Sequence, residues 1–188
     1  MTKLVAMTKV DEDTIVFVVK AGETYVIEAE GEVVVEKVKT YTFNISNVDP
    51  FGGDYGSVTP GTKTPNISSD GSYYENVTGA TLTTNVVVSK DTEVSFIISV
   101  VRKNGVTTND ELFISILLNG SDVGVTRIDG DIACGTSWAT SSADSTVVAT
   151  LSLKEGVNTI SFTIGDLNYN IVGIAFESSV PVTLGSTE

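Results

Sequence analysis

The chain contains no histidine and a single cysteine, Cys134. Without histidine there is no Ser–His or Cys–His nucleophile pair, no imidazole base near neutral pH and no ordinary zinc site. One cysteine excludes an internal disulfide framework. Basic residues are also scarce: 11 Lys and Arg stand against 24 Asp and Glu, a formal charge of −13. The basic residues are dispersed, and only Arg102 and Lys103 are adjacent. Nucleic acids and anionic membrane surfaces are bound through clustered Lys and Arg, so neither is expected as a partner. An acidic surface of this kind confers solubility and resists self-association. Paired carboxylates remain a route to glycoside chemistry. No acidic pair stands apart from the surface charges, however, so the chain is not expected to be an enzyme.

No long hydrophobic run is present either. The opening MTKLVAMTKVDEDTIVF has an apolar run only from Leu4 to Met7, followed by an acidic patch. It lacks the hydrophobic segment of a secretory signal, and no stretch is long enough to span a bilayer. Synthesis in the cytoplasm without a signal peptide is the expectation.

What the chain does have is Ser, Thr, Gly, Val and Ile, arranged with a period of two. Its 188 residues suit one generous β-sandwich, or a sandwich with a small added element. Ile15, Phe17 and Val19 alternate, the turn Ala21-Gly22-Glu23 follows, and Tyr25, Ile27 and Ala29 mark a second strand ahead of Val33–Val35. Tyr41, Phe43 and Ile45 mark another strand. Residues 47–70 are rich in Gly, Pro, Ser, Thr and Asp without apolar period and read as a long loop. From Gly79 the strands are regular: Ala80–Val88, Val94–Val100, Leu112–Leu118, Val123–Thr126, Val147–Leu153, Ile160–Ile164 and Val172–Phe176. Asn119-Gly120 is the strongest hairpin signal. The polar loop 129–144 holds the one tryptophan, Trp138. The expected organisation is an all-β, antiparallel sandwich over residues 41–178. A strand-rich N-terminal segment over 1–40 precedes it, serving docking or oligomerisation or supplying first strands of the sandwich, and a tail over 179–188 follows. Sequons at Asn44, Asn66, Asn76 and Asn119 are what a chain rich in Asn, Ser and Thr contains by chance, and no glycosylation is read from them.

The order GATLTTNVVVSKDTEVSFIISV, LFISILLNGSDVGV, TSWATSSADSTVVATLSLKEGVNTISFTI, NYNIVGIAF resembles carbohydrate-binding modules of the galactose-binding-like jelly-roll type, especially families 6 and 35. Leu153, Gly156, Asn158, Thr159 and Ile160 match the family's paired-strand signature as written. Ile27-Glu28-Ala29-Glu30 is similar to its opening, and Gly71-Ser72-Tyr73 to its Gly-x-Tyr strand. The convincing part covers residues 79–177, about half the chain. The resemblance implies a jelly roll with a sugar site in the loops at one end. Trp138 would stack on a pyranose, Tyr73 or Tyr74 would be the second aromatic, and Asn168 or Asn170 would fix hydroxyls. It also implies a structural Ca²⁺ with Glu28 or Glu30 as the early ligand. Asn170 stands where a carboxylate is expected late in the chain, and that loss weakens a hard-cation site. No other cofactor is implied.

Two functions follow. The favoured expectation is a structural or adhesive bacteriophage virion accessory protein, such as a capsid decoration or head-fibre-like protein. It would display a sugar-binding-type sandwich on the virion surface and dock through its N-terminal segment. The alternative is a module of a secreted, extracellular polysaccharide-degrading enzyme. Cell-surface or plant polysaccharide is the expected ligand, and a homo-oligomer is compatible with the first reading.

Overall fold

The computed structural model describes residues 7–9, 15–17, 37–102, 111–129, 144–165 and 169–186. The chain divides into two compact units, Met1–Val35 and Glu36–Glu188. In the first unit β1 (Met7–Lys9) and β2 (Ile15–Phe17) pair antiparallel, with Met7 opposite Phe17. The strands expected over Tyr25–Ala29 and Val33–Val35 lie outside the described residues.

The second unit is a sandwich of two six-stranded antiparallel sheets. The first sheet runs β10 (Ser121–Asp129), β9 (Glu111–Leu118), β12 (Gly156–Ile164), β7 (Thr81–Val88). Beyond β7, its far edge is shared end to end by β4 (Gly56–Thr59) and β14 (Val182–Leu184). The second sheet runs β11 (Asp144–Leu153), β8 (Thr92–Arg102), β13 (Tyr169–Ser178), β6 (Tyr74–Glu75), β5 (Asn66–Ile67). The rest of β13 pairs with β3 (Lys39–Asn44). Among the described residues every regular element is a strand, as the period of two predicts.

Alternation fixes which side chains enter the core. On β7, Leu82, Thr84, Val86 and Val88 are buried while Thr81, Thr83 and Val87 stay partly exposed. Asn119 and Gly120 both take positive φ, 51° and 79°, which is the backbone of a type I′ turn and closes the β9–β10 hairpin where expected. Phe96 stacks on Phe176 at 5.4 Å and meets Phe162 edge-on at 5.8 Å, so the two sheets are joined by aromatic contacts. Each such side chain contributes roughly 1.5–3 kcal/mol by burial.

Two stretches depart from the sequence expectation. The long loop over 47–70 contains β4 and β5, and it sends Phe51 into the core at 1 % exposure, 5.6 Å from Phe162. The amide N–H of Phe51 donates to Asp49 Oδ1 at 3.0 Å, a local turn that aims the ring inward. The expected tail over 179–188 is also built into the sandwich. Val180 and Val182 are 5 % and 2 % exposed, and β14 pairs with β7. The Val180 N–H donates to Ser178 Oγ at 3.1 Å, turning the chain after β13 so that both valines face inward.

Candidate functional site

The segment carrying Tyr73 and Tyr74 is held by a tight turn between β5 and β6. Asp70 Oδ1 accepts from Ser68 Oγ (2.6 Å), Ser72 Oγ (2.7 Å) and the Ser72 N–H (3.1 Å). Ser68 Oγ in turn accepts the Ser72 and Tyr73 N–H groups at 3.1 and 3.2 Å. Gly71, at φ +74°, supplies the left-handed residue this turn needs. The Ser68 and Ser72 donors hold the Asp70 carboxyl at about 2, below its ordinary 3.8.

The turn sends the two tyrosines to opposite faces. Tyr74 points inward at 8 % exposure, 6.1 Å from Phe51, and its hydroxyl donates to Asp49 Oδ2 at 2.7 Å. Burial, then the Asp49 hydrogen bond, pushes its phenol well above the ordinary range. The ring of Tyr74 is therefore a core element and not a stacking surface for a sugar. Tyr73 is only partly buried, and its phenol is raised by burial and then by Glu75 and Asp70.

Asn170 lies on the outer face of the second sheet. It pairs with Val101 of β8, and its neighbour Ile171 pairs with Tyr74 of β6. One step along that antiparallel register, Asn170 comes opposite Glu75, and Glu75 is opposite Asn66 of β5. The result is a row of amide, carboxylate and amide across three strands. Asn66 Nδ2 donates to Glu75 Oε2 at 3.3 Å, and Asn76 Nδ2 donates to Asn66 Oδ1 at 2.9 Å. Asn170 is 4 % exposed and, among the described residues, its Oδ1 accepts no hydrogen bond. A buried amide oxygen without a donor costs roughly 1–3 kcal/mol.

Of the sequence-predicted residues, Asn170 thus lies on β13 and Tyr73 immediately before β6, the strand that pairs with it, and Tyr74 is withdrawn into the core. Trp138, Asn168, Glu28 and Glu30 lie outside the described residues. Glu75 was not singled out from sequence, and Asn66 and Asn76 were noted there only as sequons; what joins them to Asn170 is the register of β13, β6 and β5. An amide oxygen suits a hard cation. Glu75 is nevertheless the one carboxylate in the row, and no three His, Cys, Asp or Glu side chains cluster among the described residues. The row alone does not make a calcium site.

Solved structures share this arrangement of strands. A family 35 carbohydrate binding module from Clostridium thermocellum superposes with a TM-score of 0.50 at 14 % identity, over 73 % of this chain and 97 % of that one. The family 35 module of Cellvibrio japonicus Abf62 gives 0.53 at 14 % identity, over 80 % and 100 %. A third family 35 module, from an environmental isolate, gives 0.50 at 16 % identity, over 79 % and 99 %. The fold is that of a family 35 carbohydrate-binding module. No family model and no curated protein matches the chain. At these identities the likeness concerns fold.

Proposed function

We propose that the chain is a non-catalytic glycan-binding jelly roll whose site lies on the outer face of β13 and β6. The observation that carries this reading is Asn170, a buried amide oxygen left without a donor beside Glu75 and Tyr73. A sugar hydroxyl is the kind of donor that relieves it once binding uncovers the oxygen, and an aromatic ring covers the apolar C–H face of a pyranose. Tyr73 is the described aromatic for that role, and Trp138 and Asn168 are the further candidates. The partner is a cell-surface or plant polysaccharide.

The carrier we propose is a particle-displayed protein, in particular a bacteriophage virion accessory protein. The separate unit Met1–Val35 supports this reading, since display needs an element distinct from the sandwich for docking. A module of a secreted polysaccharide-degrading enzyme is the alternative, and finding the chain in purified particles by mass spectrometry separates the two.

Glycan-array binding of the wild type against Tyr73→Ala, Asn170→Ala and Trp138→Ala tests the sugar site. Each loss is expected to weaken binding by roughly 10-fold or more, the scale of one lost hydrogen bond or stacking contact. Equal binding by all four proteins removes the site from this face.

A further inference from the structure

The outer face of the first sheet carries no ionisable side chain from Phe113 to Leu117 on β9, nor anywhere on β12, β7, β4 or β14. That is unusual in a chain with 24 acidic residues and a net charge of −13. Several of its polar side chains are engaged within the face. Thr81 and Thr163 pair at 2.9 Å, Thr83 and Ser161 at 2.9 Å, and Thr159 donates to Asn85 at 2.7 Å. Groups that already satisfy each other cost little to remove from water. Beside them stand Leu117, Val125 and Val157, 40 %, 53 % and 58 % exposed. At the margin Asp122 and Arg127 are of opposite sign, the paired Glu111 and Asp129 stand two positions beyond Phe113 and Arg127 at the end of β9 and β10, and Arg127 lies 5.1 Å over the Phe113 ring.

We propose that this face is a self-docking surface on which two copies of the chain pack sheet to sheet about a twofold axis. In a twofold contact a patch meets itself, so a charged patch repels its copy and a neutral one does not. Self-association of a strongly acidic chain therefore favours the face whose centre, over β12, β7 and the middle of β9, carries no acid. A glycan finds no open aromatic ring to stack on at Phe113, which is covered by Arg127. With strands about 4.8 Å apart and about 3.3 Å per residue, the face offers roughly 500–600 Å² per copy, a total just above the ~1,000 Å² of a specific interface. Sheets so packed lie about 10 Å apart.

The test is sedimentation velocity of the full chain over roughly 1–100 μM, the range in which a modest dimer of this area forms. A dimer is expected, and it tightens with added salt because salt screens the repulsion between two acidic bodies. The double variant Leu117→Glu, Val157→Glu places four carboxylates in the contact and is expected to raise the dissociation constant at least ~100-fold. Both positions are exposed, and a thermal melt equal to wild type confirms folding. Ile67→Glu, at an exposed position on the second sheet, leaves the dimer intact. A wild type that stays monomeric overturns the proposal, as does a dimer indifferent to the double variant. A monomer whose retardation in neutral polysaccharide gels is lost in the double variant also overturns it, in favour of a glycan surface. The Asn170 site lies on the other sheet, so its failure and this one are read separately.

Discussion

Asn158 and Asn170 are both buried, one in each sheet, and their surroundings differ completely. Asn158 Oδ1 accepts from the Lys154 N–H at 3.0 Å and from Asn119 Nδ2 at 3.2 Å. Its Nδ2 donates to the carbonyls of Lys154 (2.6 Å) and Gly156 (3.3 Å). It ties the β11–β12 turn to the β9–β10 turn and leaves nothing unmet. Asn170 leaves its oxygen unmet. A saturated buried amide stabilises a fold, whereas an unsaturated one costs stability. The same contrast separates the sheets as wholes. The first has one buried face and one partly exposed, hydroxyl-bearing face. The second is buried on both faces along β8 and β13, where the outward residues Ile97, Ser99, Val101 and Ala175 are at most 9 % exposed.

The largest expected effect tests that second statement. Ile97→Ala, at a position that alternation assigns to the outside, should destabilise by about 3–4 kcal/mol in chemical denaturation, as for a core isoleucine. Val157→Ala, outward on the first sheet, should change stability by no more than about 0.5 kcal/mol. If the two cost the same, the sheets do not differ in this way.

Next come the asparagines themselves. Asn158→Ala orphans the Lys154 amide and should cost about 2–3 kcal/mol. Asn170→Ala removes an acceptor that has no donor and should fall within about 0.5 kcal/mol of wild type, or above it. A comparable loss at both positions would make Asn170 a structural residue.

Legibility in the sequence follows the same division. The first sheet could be read because its strands alternate between water and core, as in Thr81-Leu82-Thr83-Thr84, and because Gly156, Asn158 and Thr159 carry a recognisable turn. On β8 the alternation of Val94, Phe96, Ile98 and Val100 marks one inward face, and the run Phe96-Ile97-Ile98, apolar at both parities, signals burial on the other side as well. β4, β5 and β14 are 4, 2 and 3 residues long, too short to show any period. Phe51 reaches the core through a side-chain turn at Asp49, which periodicity cannot register. Of the candidate site, Tyr73 and Asn170 came from the resemblance. Glu75 and Asn66 needed the register between β13, β6 and β5, a long-range pairing that no local pattern encodes.

A smaller effect distinguishes a functional orphan from an incidental one. Thr84 is fully buried on the inner face of the first sheet, and its Oγ1, like Asn170 Oδ1, lacks a partner. Thr84→Val keeps the shape and deletes the hydroxyl, so it should add about 1 kcal/mol of stability. Glycan binding should be unchanged, unlike in Asn170→Ala. Weakened binding in Thr84→Val would show that any disturbance of the sandwich is felt at the sugar site.

The smallest effect concerns the turn that presents Tyr73. Asp70 is fully exposed, yet three hydrogen bonds from Ser68 and Ser72 hold its carboxyl at about 2 in the fold against 3.8 in the open chain. A carboxyl whose folded value is depressed stabilises the state that keeps it ionised. Its contribution is fully present above the unfolded value and is lost as pH falls through about 2. Carbon-detected NMR of the Asp70 carboxyl should therefore show a midpoint well below that of a free aspartate. In Ser68→Ala and Ser72→Ala it should move up toward the ordinary value, the Ser68 change having the larger effect because that bond is the leading cause of the shift. Binding that rests on Tyr73 should survive mild acid with the turn intact. A midpoint at the ordinary value in the wild type would mean that the β5–β6 turn is not closed in solution, and that the second sheet does not present Tyr73 beside Asn170.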